Sequence, residues 1–386
     1  MRKICIIITF LLLFICTKVY AFDFPIESKK IILYNMNDNN IIYEENSNEK
    51  SSIASLTKIM TAIVSIENID NLNDKVTITN KDLYNLVGYS KAGFKVGDVV
   101  TYEDLLYGLM LPSGGDAAQA LSNNISNFVD KMNQKANNLG MNDTKFSNVL
   151  GRDNENNYST AKDISKLLIY ALKNKTFKKI FSSNEYTTSN GLKLEKTTYK
   201  LSKMYNINIG DITGSKTGFT EDAGYCLAST ATINGIDYLM VTLGADDIGY
   251  HIIDSVNIYN YYGENYSYIE ILKKDQKLKT IKIKFGKNKT YDIKSDKKIE
   301  KYLKNDIDKN KIKYEYKGIE ELNYKIKKGD KLGKVTIKYE DKVLDTYDVY
   351  LNDDIPYIIH WFIIIPVGVL IIIIFILFKF KKRKRA

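Results

Sequence analysis

Cysteine and histidine are scarce in this chain of 386 residues, which has three cysteines and two histidines. Cys5 and Cys16 lie in the N-terminal leader, so Cys226 is alone in the rest of the chain. This excludes an internal disulfide and a cysteine-based zinc cluster there. A histidine-based catalytic triad would have to use His251, because His360 lies in an apolar C-terminal run. We therefore expect any nucleophilic chemistry to use a lysine base and no metal or other cofactor.

Charge is distributed unevenly along the chain. The formal net charge is +10, but residues 1–21 contain three basic residues and no acidic one, and residues 379–386 contain six basic residues and no acidic one. Without these two ends, the body of the chain has a net charge of +1. A nearly neutral body argues against a nucleic-acid partner.

Residues 1–21 have the pattern of a secretory signal peptide. A basic start precedes an apolar core over residues 4–16, and small or branched residues suit cleavage before Phe22. A retained anchor helix is a weaker alternative, because the apolar core is short for a bilayer. A lipoprotein cysteine at Cys16 is another weaker alternative, because Ile15 is too bulky for the usual signal.

A second apolar run lies near the C-terminus. Residues 357–378 contain no acidic residue, lysine or arginine. As a helix these residues would be roughly 33 Å long, which is enough to span a membrane. The pattern predicts a transmembrane helix with a basic cytoplasmic tail over residues 379–386. With a cleaved leader, residues 22 to about 355 would lie outside the cytoplasmic membrane, tethered to its outer face. A buried core helix is disfavoured by the flanking charge.

The region between the two ends is predicted to form two domains. Residues 22–264 mix apolar strands with amphipathic helices. Residues 265–352 are rich in lysine and show period-two alternation of β-branched residues, as in Lys279–Lys284. Such alternation is typical of a small all-β domain.

The first domain is predicted to combine a hairpin near its start with strands near its end. Two apolar runs separated by Asn234-Gly235 predict a central hairpin with a type I′ turn. The remaining predicted elements are a hairpin over 31–43, a buried helix over 59–66, helices over 102–110, 120–140, 160–172 and 249–262, a ribbon of polar strands over 186–205, and a strand over 212–220.

Ser55 and Lys58 lie three residues apart at the start of the buried helix over 59–66. Residues at this spacing share one face of a helix, so the lysine can reach the serine hydroxyl. A lysine kept dry can lose its proton and act as a base for a serine nucleophile. The same spacing occurs at Ser47/Lys50, Ser159/Lys162 and Ser295/Lys298. By itself the pair is therefore not specific, and a helix cap beside a solvated lysine remains the alternative.

Two further motifs follow along the chain. Ser113 precedes two glycines in a tight turn between predicted helices, where a helix cap is the alternative interpretation. Lys216, Thr217 and Gly218 lie in the strand predicted over 212–220.

The three motifs, in this order, resemble those of the D-alanyl-D-alanine carboxypeptidases, the low-molecular-mass penicillin-binding proteins. That family shows Ser-x-x-Lys, Ser-x-Asn and Lys-Thr-Gly. The resemblance extends to the surrounding segments 52–62, 111–118, 159–163 and 214–224, and covers most of residues 28–350. It implies a mixed α/β fold: a β-lactamase/transpeptidase-like domain with a central antiparallel sheet flanked by helices, then a small all-β domain and a transmembrane helix.

The resemblance also implies catalytic roles. Ser55 would attack the carbonyl between two D-alanines, and Lys58 would be the base that activates it. Ser113 would relay protons to the leaving D-alanine. The positive charge of Lys216 would help to keep Lys58 neutral.

Substrate-binding roles follow from the third motif. Lys216 and Thr217 would bind the terminal carboxylate of the substrate, with Gly218 completing the motif. The backbone N–H groups of Ser55 and Phe219 would form the oxyanion hole.

The function implied is that of a serine-type D-Ala-D-Ala carboxypeptidase that trims the terminal D-alanine from peptidoglycan stem pentapeptides and is blocked by β-lactams.

Gly115 stands where the family has asparagine, so an amide contact is lost unless Asn123 or a water replaces it. A peptidoglycan-binding or scaffold protein on the same fold is therefore the non-enzymatic alternative. A β-lactamase is less favoured, because no glutamate is placed to act as a deacylation base. Asn157 stands where a histidine is expected, and has no catalytic role.

Overall fold

The structure is a computed structural model that describes residues 22–383. The predicted signal peptide over residues 1–21 lies outside the described residues. The chain divides after Gly263 into two compact units.

An antiparallel sheet forms the centre of the first unit. The strands of this unit are β1 (Lys30–Asn35), β2 (Asn40–Glu45), β3 (Lys75–Thr77), β4 (Val99–Thr101), β5 (Glu185–Thr187), β6 (Lys193–Glu195), β7 (Ile212–Thr220), β8 (Gly224–Ile233) and β9 (Ile236–Ala245). The strand order of the sheet is β2-β1-β9-β8-β7 within the described residues. The two turn residues before β9, Asn234 and Gly235, both have positive φ, as a type I′ turn requires.

Helices cover both faces of this sheet. They are α1 (Thr57–Asn68), α2 (Tyr102–Met110), α3 (Gly115–Asn123), α4 (Phe128–Asn138), α5 (Ala161–Ala171), α6 (Lys175–Ser182), α7 (Thr197–Tyr205) and α8 (Tyr250–Asn265). Successive residues of β8 point to opposite faces. Ala228 packs into the large core with α1 and α5, whereas Leu227 packs against Ile252 and Val256 of α8. The predicted mixed α/β fold with a central antiparallel sheet is confirmed.

Local sequence signals define several of these elements well. The hairpin β1–β2 and the helix α2 lie where the sequence predicts them. Thr101 and Asp104 form a reciprocal capping box at the start of α2. Thr160 caps α5 by accepting a hydrogen bond from the backbone N–H of Asp163.

The single helix predicted over 120–140 is wrong. Helix α3 ends at Asn123 and α4 begins at Phe128. Between them Asn127 has a φ of 53°, in the left-handed region that ends helices. Asparagine tolerates this conformation better than most residues, and three asparagines occur over residues 123–127.

The ribbon of polar strands predicted over 186–205 is correct only in its first half. Strands β5 and β6 pair as a short hairpin, but Thr197–Tyr205 forms the helix α7. Thr198 is buried and Leu201 packs against the α8 cluster. These positions are three residues apart, which is the spacing of one helix face, and burial of this face favours the helix.

The second unit contains the predicted all-β domain. Its strands are β10 (Tyr266–Leu272), β11 (Lys277–Ile283), β12 (Thr290–Lys294), β13 (Ile299–Lys304), β14 (Ile312–Gly318), β15 (Glu321–Leu322), β16 (Lys331–Tyr339) and β17 (Lys342–Tyr350). Isoleucine, leucine and valine side chains from these strands form a separate core. The lysines alternate with them on the outer side, as period-two patterning requires.

A long apolar helix, α9 (Ile359–Arg383), ends the described chain. Its segment Ile363–Lys381 has a mean hydropathy of 3.0, and among the described residues it alone is long and apolar enough to cross a membrane. The helix continues through Arg383, so the first basic residues after the predicted 357–378 span are helical.

Candidate active site

Ser55 lies in a 3-10 turn, Ala54–Leu56, that leads directly into α1. Ala54 has a φ of 46°, which is strained for a residue other than glycine. Ser55 faces a cavity of about 520 Å³ whose lining includes Lys58 and Ser113. The structure therefore places Ser55 immediately before the N-terminus of α1, as predicted.

Two glycines let the chain close around this turn. A Cβ on Gly218 would lie 3.1 Å from the backbone nitrogen of Ser55 and 3.1 Å from the Cβ of Ala54. A Cβ on Gly151 would lie 1.9 Å from the carbonyl oxygen of Ala54. A side chain at Gly151 is therefore excluded unless the backbone shifts, and one at Gly218 would push the neighbouring backbone by a few tenths of an ångström. The two glycines thus let β7 and the 151 loop lie against Ser55.

Lys58 is held next to Ser55. Its Nζ lies 2.8 Å from Ser55 Oγ and donates to the carbonyl oxygen of Leu150 at 2.7 Å. Burial lowers the pKa of Lys58 to about 7, and the carboxylate of Asp116 acts in the opposite direction. An amine with this pKa is largely neutral slightly above pH 7. It can then take the hydroxyl proton of Ser55.

Asn148 shapes the loop that holds Lys58. Its side-chain oxygen accepts hydrogen bonds from the backbone N–H groups of Leu150, Gly151 and Arg152, at 3.1, 2.8 and 3.0 Å. This bonding fixes the direction of the Leu150 carbonyl, which accepts from Lys58. Sequence reasoning missed Asn148, because no local pattern connects it to the helix almost a hundred residues earlier.

Ser113 and Lys216 form a second serine–lysine pair. Lys216 Nζ donates to Ser113 Oγ at 2.8 Å and to the carbonyl oxygen of Thr217 at 2.7 Å. Ser113 has a φ of 64°, in the left-handed region, between α2 and α3. Both residues are buried. The structure thus brings the second and third sequence motifs into direct contact.

Three buried lysines, Lys58, Lys196 and Lys216, lie close enough for their amines to interact electrostatically. Burial, followed by repulsion from Lys58 and from Lys196, lowers the pKa of Lys216 well below its usual value. Lys196 is also buried, with its pKa lowered by burial to about 7, and its Nζ donates to the carbonyl oxygen of Phe181 at 2.6 Å. For Lys58 the cause of the lowered pKa is burial, and not the charge of Lys216 that the family resemblance implies. The three amines disfavour a state in which all are charged.

Strand β7 forms one wall of the cavity. Thr217, Gly218, Phe219 and Thr220 all line it. The side chain of Phe219 is half exposed and stacks on Tyr225, with ring centroids 4.2 Å apart. Within the described residues β7 pairs with β8 on one side and has no strand partner on the other, so part of its backbone is available to a ligand.

Gly115 begins α3, and its backbone N–H donates to the carbonyl oxygen of Ser90 at 2.8 Å. A Cβ here would lie 2.9 Å from a methyl group of Leu86. Asn123 does not replace the missing amide, since its Nδ2 donates to Asp82 at 2.6 Å and it does not line the cavity.

Asp116 anchors the loop above the cavity. Its carboxylate accepts backbone hydrogen bonds from Ala92, Gly93 and Phe94 across the chain. Asp116 is buried. It therefore fixes the loop over residues 88–94 against the N-terminus of α3, where its negative charge is also favourable.

His251, the histidine that a catalytic triad would have to use, also lines the cavity. It is buried, burial lowers its pKa to about 4, and its ring stacks on Tyr225 with centroids 5.4 Å apart. The hydrogen-bond partner of Ser55 is Lys58 and not this histidine. Among residues 22–383 no group of three or more histidine, cysteine, aspartate or glutamate residues is arranged to hold a metal ion.

Two family profiles match the chain. The profile described as D-alanyl-D-alanine carboxypeptidase matches residues 17–247, and the profile described as penicillin-binding protein 5, C-terminal domain, matches residues 266–357. The D-alanyl-D-alanine carboxypeptidase DacF of Bacillus subtilis is 30% identical over 339 residues, which cover 85% of this chain and 86% of DacF. The D-alanyl-D-alanine carboxypeptidase of Streptomyces sp. K15 is 35% identical over 237 residues, which cover 57% of this chain and 81% of that protein.

Solved structures of similar proteins also align with this chain. Penicillin-binding protein 5 from Haemophilus influenzae aligns with a TM-score of 0.63 at 24% identity, covering 87% of this chain and 99% of that one. At this identity the match shows the fold. The Streptomyces K15 DD-transpeptidase aligns with a TM-score of 0.56 at 34% identity, covering 62% of this chain and 98% of that one.

Proposed function

Because the chain belongs to the D-alanyl-D-alanine carboxypeptidase family and is a serine carboxypeptidase, we propose that Ser55 is its nucleophile and Lys58 its general base. The observation that carries this proposal is the 2.8 Å contact between Lys58 Nζ and Ser55 Oγ. Burial of Lys58 provides a neutral amine near pH 7, and the Leu150 carbonyl keeps that amine oriented.

In the acylation step, Ser55 Oγ attacks the carbonyl carbon between the two D-alanines as Lys58 takes the hydroxyl proton. The carbonyl oxygen becomes an oxyanion, which the backbone N–H groups of Ser55 and Phe219 stabilise. Gly218 supports this role, because its lack of a side chain lets β7 approach the Ser55 nitrogen. Loss of one such donor typically costs on the order of a hundredfold or more in rate.

Ser113 then relays the proton that Lys58 took from Ser55 to the nitrogen of the leaving D-alanine, the peptide bond breaks, and Lys58 is neutral again. Two observations support this role: Ser113 and Lys58 line the same cavity, and Lys216 donates to Ser113 Oγ, which leaves the hydroxyl proton of Ser113 free to transfer. The acyl-Ser55 intermediate is hydrolysed when water attacks its ester carbonyl and Lys58 takes a proton from that water. Lys58 then returns the proton to Ser55 Oγ as the ester bond breaks. The products are D-alanine and the shortened peptide.

Lys216 and Thr217 bind the terminal carboxylate of the substrate. An incoming carboxylate compensates the charge of the buried ammonium and restores the protonated form that burial disfavours. Thr217 lines the cavity next to Gly218 and offers a hydroxyl to the same group. The substrate is the D-Ala-D-Ala end of a peptidoglycan stem pentapeptide, and β-lactams occupy the same site.

The test is intact-mass spectrometry of the full chain in detergent with benzylpenicillin, followed by peptide mapping. We expect one adduct, on Ser55, together with D-alanine release from a D-alanyl-D-alanine peptide. Ser55→Ala removes both and retains the thermal transition, whereas Ser47→Ala, at another Ser-x-x-Lys spacing, retains the adduct. Labelling that persists in Ser55→Ala would overturn the nucleophile assignment. A folded protein that takes no adduct would support a binding or scaffold role, which the comparisons do not favour.

The domain limits proposed are a signal peptide over 1–21, the carboxypeptidase domain over 22–264, the all-β domain over 265–352, the membrane span over 357–378 and the basic tail over 379–386. Phe22 supports cleavage before it. Its ring packs edge-on against Tyr43 and Tyr261, so the folded domain includes that residue. The C-terminal apolar helix is consistent with a membrane anchor. We propose that this helix holds the enzyme on the outer face of the cytoplasmic membrane.

A further inference from the structure

The loop between β11 and β12 lies directly against the residues that lead into the apolar helix α9. The backbone N–H of Lys287 donates to the carbonyl oxygen of Pro356 at 2.9 Å. The backbone N–H of Ile358 donates to the carbonyl oxygen of Phe285 at 2.8 Å. We refer to residues 284–289 as the basal loop. Backbone hydrogen bonds therefore fix the basal loop beside the start of α9.

The residues that lead into α9 belong to the fold of the second unit. Ile355 and Tyr357 pack against the core of the β domain. Tyr357 also forms an isolated antiparallel bridge with Gly286 of the basal loop. Side-chain packing and backbone pairing together hold the entry to α9 against the domain.

The depth of the basal loop follows from helix geometry. The segment of α9 that is apolar enough to cross a membrane begins at Ile363, five residues after Ile358. At 1.5 Å per residue, these residues extend the chain by roughly 7.5 Å along the helix axis. The headgroup region on each side of a bilayer is roughly 5–7.5 Å thick. With α9 across a bilayer, the Phe285 carbonyl that accepts from Ile358 thus lies at the level of the headgroups.

The side chains of the basal loop suit this level. Phe285 is 44% exposed, and Lys284 Nζ lies over its ring, 5.6 Å from the centroid. Lys287 and Lys289 are also exposed, and the loop contains no acidic residue. No ion pair within residues 22–383 includes a lysine of this loop. Apolar rings contact the boundary between headgroups and acyl chains, and lysines are attracted to anionic lipids.

The backbone of Phe285 is a second, independent observation. Its φ is 60°, in the left-handed region, which is unusual for a bulky residue. Ile281 and Ile283 of the preceding strand are buried in the domain core, whereas the ring of Phe285 is exposed. Residues in such conformations cluster at functional sites. An exposed aromatic ring in this conformation, beside the helix entry, indicates a contact with the bilayer.

Two acidic residues reduce the positive charge at this end of the domain. Asp353 and Asp354 are exposed and precede the entry to α9. The three lysines of the basal loop and the neighbouring Lys282 outnumber them. A single ring and a few lysines are too weak to hold a protein on a membrane, since stable attachment without a spanning helix needs stronger signals. The loop therefore orients a domain that α9 anchors.

We propose that the basal loop is a membrane-contact site. Phe285 enters the boundary between headgroups and acyl chains, and the three lysines of the loop bind the phosphate groups of anionic lipids. The inference rests on the proposed membrane anchor. Because the loop is a second point of attachment beside α9, it sets the orientation of the second unit on the bilayer.

The test uses the full chain in lipid nanodiscs, with a nitroxide label on one introduced cysteine. Asn288→Cys places the label in the basal loop, and Ile372→Cys places it in the middle of the apolar segment of α9. Asp341→Cys is the control in water. It precedes β17, whose nine residues span roughly 30 Å before the chain turns toward α9.

Only the introduced cysteine is labelled in each sample. Cys226 is buried, and Cys5→Ser and Cys16→Ser remove the leader cysteines. The readout is the collision rate of the label with oxygen, which concentrates in the bilayer, divided by its collision rate with a water-soluble nickel complex. A high ratio therefore reports contact with lipid.

In nanodiscs of phosphatidylglycerol and phosphatidylcholine, the ratio at Asn288→Cys should exceed that at Asp341→Cys by about fivefold, the factor by which an anionic surface concentrates one lysine. In phosphatidylcholine alone the difference should shrink. Phe285→Ser should also reduce it and retain the thermal transition. The charge variant combines Lys284→Gln, Lys287→Gln and Lys289→Gln, and should reduce it similarly. Its matched control retains the difference and removes three lysines at the Asp341 end of the domain: Lys309→Gln, Lys313→Gln and Lys342→Gln.

The outcomes separate the inference from the anchor on which it rests. A low ratio at Ile372→Cys would show that α9 is not in the bilayer, and the proposed anchor would fail. A high ratio there with a low ratio at Asn288→Cys overturns the membrane contact alone. Equal ratios at Asn288→Cys in both kinds of nanodisc also overturn it, as does a ratio that the charge variant retains, because the lysines would then bind no anionic lipid.

Discussion

Lys216 Nζ donates a hydrogen bond to Ser113 Oγ at 2.8 Å, although the two residues are separated by 103 positions in the chain. The bond joins the β7 strand to the turn before α3. Because Ser113 is held in a left-handed conformation, its hydroxyl direction depends on the turn and on this lysine together. The proposed carboxylate-binding lysine and the proposed proton relay therefore form one unit.

Lys216→Ala is expected to weaken substrate binding through loss of the carboxylate contact. Hydrogen bonds to charged groups contribute about 1.5–3 kcal/mol net, which corresponds to roughly a 10- to 150-fold higher KM. The measurement is steady-state D-alanine release from the free-acid peptide. The matched control is acylation by the methyl ester of the peptide, which lacks the carboxylate contact, so its efficiency should fall less in the variant than that of the free acid does. An unchanged KM for the free acid would remove Lys216 from the carboxylate site.

The acylation rate should rise with pH. Burial lowers the pKa of Lys58 to about 7, so the neutral base is scarce below that pH and dominant above it. The second-order rate of benzylpenicillin acylation, measured from pH 5.5 to 9, should increase with a midpoint near 7.

Lys58→Arg is the companion variant, because an arginine stays protonated throughout this pH range. Acylation should fall by about 100- to 10,000-fold, the usual contribution of a general base. Lys298→Arg, at another Ser-x-x-Lys spacing, should leave acylation unchanged. A flat pH profile in the parent protein would contradict the base assignment.

Gly218→Ala tests the close approach of β7 to Ser55. The added Cβ would lie 3.1 Å from the Ser55 nitrogen and 3.2 Å from the carbonyl oxygen of Ile53, both backbone atoms that cannot swing aside. We expect at least a tenfold slower acylation, because the proposed oxyanion donors move apart. Thermal denaturation should show that the variant still folds. Wild-type acylation in a folded Gly218→Ala protein would show that this spacing is not critical.

Truncation after residue 355 tests the anchor. The apolar helix α9 begins at Ile359, and its side chains over residues 363–381 are almost all exposed. Removing it should move the protein from the membrane fraction to the soluble fraction, while penicillin labelling at Ser55 persists. Fractionation of cells that express each form is the measurement, and a truncated protein that stays with the membrane would contradict an anchor confined to α9.

Sequence patterns predicted the parts of the fold that depend on local signals. Hairpin β1–β2, with its asparagine-rich turn, and helix α2, with its capping box, needed only neighbouring residues. Helix α7 was missed because its helical state depends on burial against α8, which comes fifty residues later. The break at Asn127 depended on a single backbone conformation that composition did not reveal.

In the candidate site, too, local sequence patterns predict some residues and miss others. The Ser55–Lys58 contact follows from helical spacing, and the structure places both side chains as expected. Asn148, Lys196 and His251 could not be found in this way, because each reaches the site from a distant loop or helix. Asn148 orients the Leu150 carbonyl, Lys196 places a buried amine near Lys216, and His251 lines the cavity with an aromatic ring. No local sequence pattern indicates any of these contributions. The role of each motif residue remains a prediction.

One side of β7 has no strand partner within residues 22–383, and its position in a cavity limits what can pair with it. The unpaired backbone N–H and C=O groups of an exposed edge strand can pair with a strand of another molecule, which promotes aggregation. Here part of that edge, at Gly218, Phe219 and Thr220, opens into a cavity of about 520 Å³. A second folded sheet is too bulky to enter such a space, whereas one extended peptide can slide in and pair with the backbone. The shape of the active-site cavity thus favours pairing of β7 with a single extended chain over pairing with a second folded sheet.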